Sequence, residues 1–126
     1  MKKKIYYHHT DCGGVVYYAT YLEFLEEART EFLEQKGLGI AGLMAQGRLF
    51  VVSRQEVDYK APVVYGDTIE ITTKVVDVSG VRIYLEHRVI RPDQKVAAEA
   101  RTTLASVDAA LRPCPLTADL AAQIKE

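Results

Sequence analysis

The sequence predicts an α+β domain built on one antiparallel sheet, and three observations predict it. A stretch near the start repeats its apolar residues at helical spacing, the region from Arg48 to about Val107 alternates at period two, and turn residues cut that region into four pieces. With one β-prone segment ahead of the helix, the order is one strand, one long helix and four consecutive strands, an arrangement that points to a five-stranded antiparallel sheet.

Lys2 to His9 forms the first expected strand, centred on Ile5, Tyr6 and Tyr7. The helix follows: Tyr21, Leu25, Ala28 and Phe32 recur at steps of four, three and four, Leu22, Phe24 and Leu33 widen the stripe, and Glu23, Glu27, Arg29, Glu31 and Glu34 take much of the other side. Thr20-x-x-Glu23 fits a capping box, so the first turn is placed between Tyr17 and Thr20; Lys36 and Gly37 supply a cation and a left-handed stop at the far end. Leu38 to Gly47 is apolar and glycine-punctuated, a short helix or turn over one end of the core. In Phe50 to Lys60, Val51, Ser53, Gln55, Val57 and Tyr59 fall on one side and Val52, Arg54, Glu56 and Asp58 on the other. Gly66-Asp67 opens a strand carrying Ile69, Ile71 and Val75, Ser79-Gly80 turns it into Val81 to Val89, and Pro92-Asp93-Gln94 turns again into Lys95 to Val107. Leu116 to Lys125 is a short helix or frayed end.

A chain of 126 residues is expected to be one domain spanning 1–126, large enough to bury a core without disulfides or metal. Its 16 basic and 17 acidic residues nearly cancel, which removes any global field for nucleic acid or an anionic membrane. No signal-like opening and no apolar run near the roughly 18 residues of a membrane span is present. Cys12 and Cys114 are the two cysteines, expected to be reduced in a soluble cytoplasmic protein. One helix cannot cover a broad sheet, so a partner chain is expected to supply further burial.

Asp11 is the candidate for chemistry. It sits on a glycine-bearing loop just before the long helix, whose first N–H groups are unpaired and carry partial positive charge, and a carboxylate beside such donors suits reaction at a carbonyl. Asp-Gly runs are also ordinary turns. His8, His9, Asp11 and Cys12 are all metal-ligand types, but no CxxC or HExxH spacing occurs and neighbouring strand residues point to opposite faces, so no metal is expected. Cys12 is read as a small packing residue rather than a nucleophile, His87 as a hydrogen-bonded core or interface histidine, and Tyr6, Tyr17, Tyr21, Tyr59 and Tyr84 as mostly core and rim.

Tyr7, Thr10-Asp11, Gly14-Val15-Val16-Tyr17, Tyr21, Glu27-Ala28-Arg29-Thr30-Glu31, Phe50-Val51-Val52 and Tyr59-Lys60-Ala61-Pro62 together resemble the hotdog-fold acyl-CoA thioesterases of the 4-hydroxybenzoyl-CoA thioesterase family, particularly the Tol-Pal-associated branch. The resemblance runs from about Ile5 to about Asp108. It implies a hotdog fold, a five-stranded antiparallel sheet wrapped round one long central helix, with dimers joined edge to edge, pairs of dimers making a homotetramer, and active sites between protomers. By resemblance the catalytic carboxylate is Asp11, the backbone N–H that polarises the thioester carbonyl belongs to Tyr18, and Tyr7 flanks the site. The Tol-Pal-associated branch carries histidine where this chain has Tyr18, whereas the 4-hydroxybenzoyl-CoA enzymes carry tyrosine; the N–H is common to both.

The expected reaction is hydrolysis of a short-chain aliphatic or aromatic acyl-CoA to free acid and coenzyme A, with Asp11 attacking the carbonyl or acting as base on water. Gly14, Val15, Val16 and Tyr17 with Val51, Val52 and Ser53 are the residues expected at the acyl slot, and Lys60, Arg88, Arg91 and Lys95 are candidates for the coenzyme A phosphates. No cofactor is expected beyond the coenzyme A of the substrate. The alternatives are a non-catalytic acyl- or CoA-binding module and an enoyl-CoA hydratase, the latter lacking its expected Asp and His around an Asn-Pro loop.

Overall fold

A computed structural model describes all residues, Met1–Glu126. The elements are β1 (Lys2–Lys4), α1 (Thr20–Gln35), α2 (Ile40–Ala45), β2 (Arg48–Tyr59), β3 (Thr68–Ser79), β4 (Arg82–Ile90), β5 (Val96–Asp108) and α3 (Ala118–Lys125). They form one antiparallel five-stranded sheet in the order β1-β3-β4-β5-β2, so β2 pairs with β5 and both β1 and β2 are edges. The expected sheet around a long helix is therefore the observed architecture.

Helix α1 buries Tyr21, Phe24, Leu25, Ala28 and Leu33 against the sheet. Two clusters fill the interior: one around Phe24, Ile5, Ile69, Ile71 and Val89, the other around Leu33, Leu43, Ile83, Leu85 and Leu104. Gly37, with φ of +77°, ends α1 as expected, and the Leu38 N–H reaches back to the Leu33 carbonyl at 2.8 Å while the Gly37 N–H reaches that of Glu34. Helix α3, capped by Thr117 Oγ1 accepting from the Leu120 N–H at 3.2 Å, inserts Ile124 fully into the second cluster.

Three local expectations are corrected. The first strand stops at Lys4, and Tyr7–His9 winds into a 3-10 turn. There the Tyr6 N–H donates to His9 Nδ1 at 2.9 Å and Thr10 Oγ1 donates to the Tyr7 carbonyl at 2.7 Å, local bonds that compete with strand pairing. The capping box is not formed: Thr20 is the first helical residue, and Ala19 before it offers no side-chain acceptor. In β2 the register shifts between Val52 and Arg54, leaving Ser53 as the extra residue. Phe50 and Val52 lie opposite Ser106 and Leu104, whereas Gln55, Val57 and Tyr59 lie opposite Thr102, Ala100 and Ala98. The face toward the helix thus changes parity at Ser53, and Val51 does not share a side with Gln55 and Tyr59.

A polar belt crosses the sheet between the two clusters. His87 is 1 % exposed and bonds Thr73 Oγ1 through Nδ1 at 3.0 Å, and Thr102 Oγ1 donates to Gln55 Oε1 at 2.7 Å. His87 is the hydrogen-bonded core histidine anticipated. Its Nε2 has no partner. Burial, with the Arg29 guanidinium of α1 as the next cause, pushes its pKa down to about 4.

Candidate active site

The loop carrying Asp11 is closed by its own backbone. The Asp11 N–H donates to the Val15 carbonyl at 2.9 Å, the Gly14 N–H returns to the Asp11 carbonyl at 3.0 Å, and Gly14 takes φ of +80°, a conformation glycine adopts without penalty. Bridges from Thr10 to Val16 and from Val15 to Val64 tie the loop to its surroundings, and the Tyr17 N–H donates to the His9 carbonyl at 2.9 Å. Within it, the Gly13 N–H donates to Asp11 Oδ1 at 2.7 Å. Asp11 Oδ2 accepts nothing from the chain, so the carboxylate is held by one oxygen and presents the other.

Asp11, Val15, Val16 and Tyr18 line one open cleft of about 360 Å³ together with Tyr21 and the end of β2, Tyr59-Lys60-Ala61-Pro62. Tyr18 lies in the turn before α1, and its N–H has no acceptor within the chain. Tyr59 Oη donates to the Tyr18 carbonyl at 2.8 Å. Burial pushes the Tyr21 phenol up to about 12 and raises that of Tyr59, so both keep their protons through neutral pH. The cleft therefore combines an exposed carboxylate, an unpaired N–H, an aromatic wall and the Lys60 cation, which pairs with Glu99 at 3.5 Å.

The other candidate residues lie elsewhere in the single chain. Tyr7 is 79 % exposed with its ring edge-on to Tyr65, and Tyr17 stands outside the cleft with its ring against Tyr18. Val51 and Val52 line a second groove of about 410 Å³ between α1, α2 and β2, walled by Leu33, Leu38, Leu43 and Phe50 and bordered by a half-buried Arg29. Ser53 is exposed at the bulge, its hydroxyl donating to the Thr103 carbonyl at 3.2 Å. Arg88 lies opposite Glu99 on the sheet face away from α1; Arg91 pairs with Asp93 at 3.1 Å, and Lys95 is exposed in the same turn. His8 and His9, argued apart as strand residues, instead have ring centroids 4.0 Å apart, and His9 Nδ1 is taken up by the Tyr6 N–H. Tyr21, buried in the core, and Tyr59, at its rim, stand where the sequence reading put them and also line the cleft, a role that reading did not give them; the available signal was the Tyr59-Lys60-Ala61-Pro62 stretch, a strand end that stops at proline.

A carboxylate with a free oxygen that shares a cleft with a residue whose amide is unpaired has the parts to deliver a nucleophile to a carbonyl and hold the charge that forms on it. Comparison with known proteins places the chain in a family. The model of the thioesterase-like superfamily matches residues 7–124. The chain belongs to that superfamily. It is 34% identical to the acyl-CoA thioester hydrolase YbgC of Escherichia coli O6:H1 over 124 residues, 98% of this chain and 92% of that protein. It is 37% identical to the acyl-CoA thioesterase YbgC of Haemophilus influenzae over 106 residues, 83% of this chain and 77% of that one. Among solved structures, protein TT1821 of Thermus thermophilus superposes with a TM-score of 0.91 at 28% identity, covering 98% of this chain and 95% of its own. Thioesterase-like membership and the hotdog architecture agree with the resemblance carried by the stretches from Tyr7 to Pro62. No helix is long and apolar enough to cross a membrane.

Proposed function

We propose that Asp11 and the Tyr18 N–H are the reacting groups of this chain, an acyl-CoA thioester hydrolase, and that its substrate is a short-chain aliphatic or aromatic acyl-CoA. The observation that carries the reading is the shared cleft, lined by Asp11, whose Oδ2 accepts nothing from the chain, and by Tyr18, whose N–H is unpaired. The N–H, at the positive end of α1, receives the developing oxyanion; one such donor is worth about 10²–10³ in rate. Two routes fit. Asp11 Oδ2 takes a proton from water as the water oxygen attacks, or it attacks directly to form a mixed anhydride that water then opens; in both the thiolate of coenzyme A leaves and is protonated. No cofactor enters either route. Colorimetric thiol release over a panel of aliphatic and aromatic acyl-CoAs tests the proposal: release from one or more members is expected, whereas binding without release across the panel supports a non-catalytic module.

The open edge of β2 accounts for the residues that the single chain leaves apart. Antiparallel self-pairing of the β2 edge about a two-fold axis would set the first half of one β2 beside the last half of the other, bringing the partner's Val51–Val52 groove toward the Tyr59 end that lines the Asp11 cleft. On this reading the acyl slot is shared between protomers, Val51, Val52 and Ser53 belong to it, and Tyr7 flanks its mouth. Sedimentation equilibrium is expected to give at least twice the chain mass of 14.1 kDa, with a tetramer as the larger assembly; a monomer at micromolar concentration contradicts the shared slot. The cytoplasm is the proposed compartment.

Of the phosphate candidates, Lys60 is the one that lines the Asp11 cleft, with Arg88, Arg91 and Lys95 as outer contacts. Lys60→Gln is expected to raise KM for an acyl-CoA roughly twofold to fivefold, the size of a half-exposed charge contact. KM for the matching acyl-pantetheine should not change, and an equal rise for both would remove Lys60 from phosphate binding.

A further inference from the structure

The turn into α1 leaves one carbonyl out of the backbone ladder. The Thr20 N–H donates to the Tyr17 carbonyl at 2.9 Å and the Leu22 N–H to that of Ala19 at 3.1 Å, while no N–H reaches the Tyr18 carbonyl between them. Its sole hydrogen bond comes from Tyr59 Oη, 41 residues away on the last residue of β2. Tyr18 therefore has one backbone group tethered to the sheet and the other, its N–H, free. A residue outside the helix keeps its dihedral freedom unless something restrains it, and an amide must be aimed before the reaction to stabilise an oxyanion without reorganisation.

We infer that Tyr59 is a positioning residue, whose hydroxyl pins the Tyr18 carbonyl and so aims the Tyr18 N–H at the thioester oxygen. This rests on the hydrolase reading above. The Tyr59 ring is itself fixed from both sides, edge-on to Tyr21 at 5.3 Å and to Tyr18 at 6.4 Å between centroids. Its single proton is committed to Tyr18, so the phenol acts through that residue rather than on substrate. β2 is also an edge strand, so the tether links the site to an edge on which a second protomer would pair.

Tyr59→Phe removes the hydroxyl and keeps the ring. Expected are a roughly tenfold fall in kcat, less than the loss of a whole oxyanion donor, with KM within about twofold and an unchanged melting temperature. In the same variant the amide resonances of Tyr18 and Ala19 should shift while those of the α1 interior stay. Replacing Tyr59 with 4-aminophenylalanine, which restores a donor at the ring end, should recover most of the rate. Tyr59→Phe turning over like wild type, or leaving the Tyr18 amide unmoved, overturns the inference, as does a rate loss matched by a fall in melting temperature. Asp11→Asn run in parallel separates the two failures. If that variant loses turnover while Tyr59→Phe does not, only the tether is wrong; a wild-type chain that releases no thiol overturns both.

Discussion

Asp11→Asn is expected to lower kcat for acyl-CoA hydrolysis by roughly 10²–10⁴ while leaving the fold and the melting temperature in place. Asparagine is nearly the same size, and its side-chain oxygen can still accept the Gly13 N–H that holds Oδ1 at 2.7 Å, so the loop keeps its closure. What disappears is the basic and nucleophilic oxygen. The side chain is exposed, so no buried charge is lost and no packing is disturbed. Undiminished thiol release would remove Asp11 from the chemistry. In the active chain, a single turnover in ¹⁸O-labelled water tests the direct route: label carried into the Asp11 carboxylate marks an anhydride that water opened at the Asp11 carbon.

His87 is expected to make the fold acid-sensitive. Its folded-state pKa is lowered to about 4, against about 6.5 for an unperturbed imidazole. Above pH 6.5 both folded and unfolded states hold it neutral and its contribution is complete. As pH falls below 6.5 the unfolded chain takes up a proton that the folded chain refuses, so stability declines until the folded group also titrates near pH 4. The 2.5-unit difference corresponds to about 3 kcal/mol. His87→Gln, which stays neutral and can still bond Thr73 Oγ1, should lose about that much less stability between pH 7 and pH 4 in urea titrations. Parallel pH slopes for the two proteins would show that the buried imidazole is not the cause. The effect comes from position: His87 sits in the belt between two apolar clusters, with Thr73 on one nitrogen and the Arg29 cation as the charged neighbour.

Features governed by simple periodicity were legible in the sequence. Tyr21, Leu25 and Ala28 mark the buried stripe of α1 because helix burial repeats every 3.6 residues, and Ile69, Ile71, Ile83, Leu85 and Val89 mark buried strand faces because side chains alternate. The same rule misplaced Val51 and Val52 relative to Tyr59, since a single extra residue at Ser53 reverses the parity and leaves no trace in the alternation of residue types. The capping box failed for a related reason: Thr20-x-x-Glu23 has the right spacing, but Thr20 is already helical and its hydroxyl is one position too late to cap. Around Asp11, the loop and the neighbouring N–H were readable from local order along the chain. The Tyr59 tether was not, because it joins residues 41 apart through a sheet edge. Arg29 shows the limit of placing a charged side chain by helical spacing alone: set opposite the buried stripe, it lies half-buried beside the second groove, its cation the charged neighbour of His87.

The most direct test of the reaction centre is a crystal structure of the Asp11→Asn protein with an unhydrolysed acyl-CoA. Expected is a thioester carbonyl oxygen about 2.7–3.1 Å from the Tyr18 nitrogen, its carbonyl carbon facing residue 11. An acyl-CoA bound with its thioester away from the Tyr18 amide, on the outer sheet face or sealed in the groove beside Arg29 with no approach to residue 11, would contradict it.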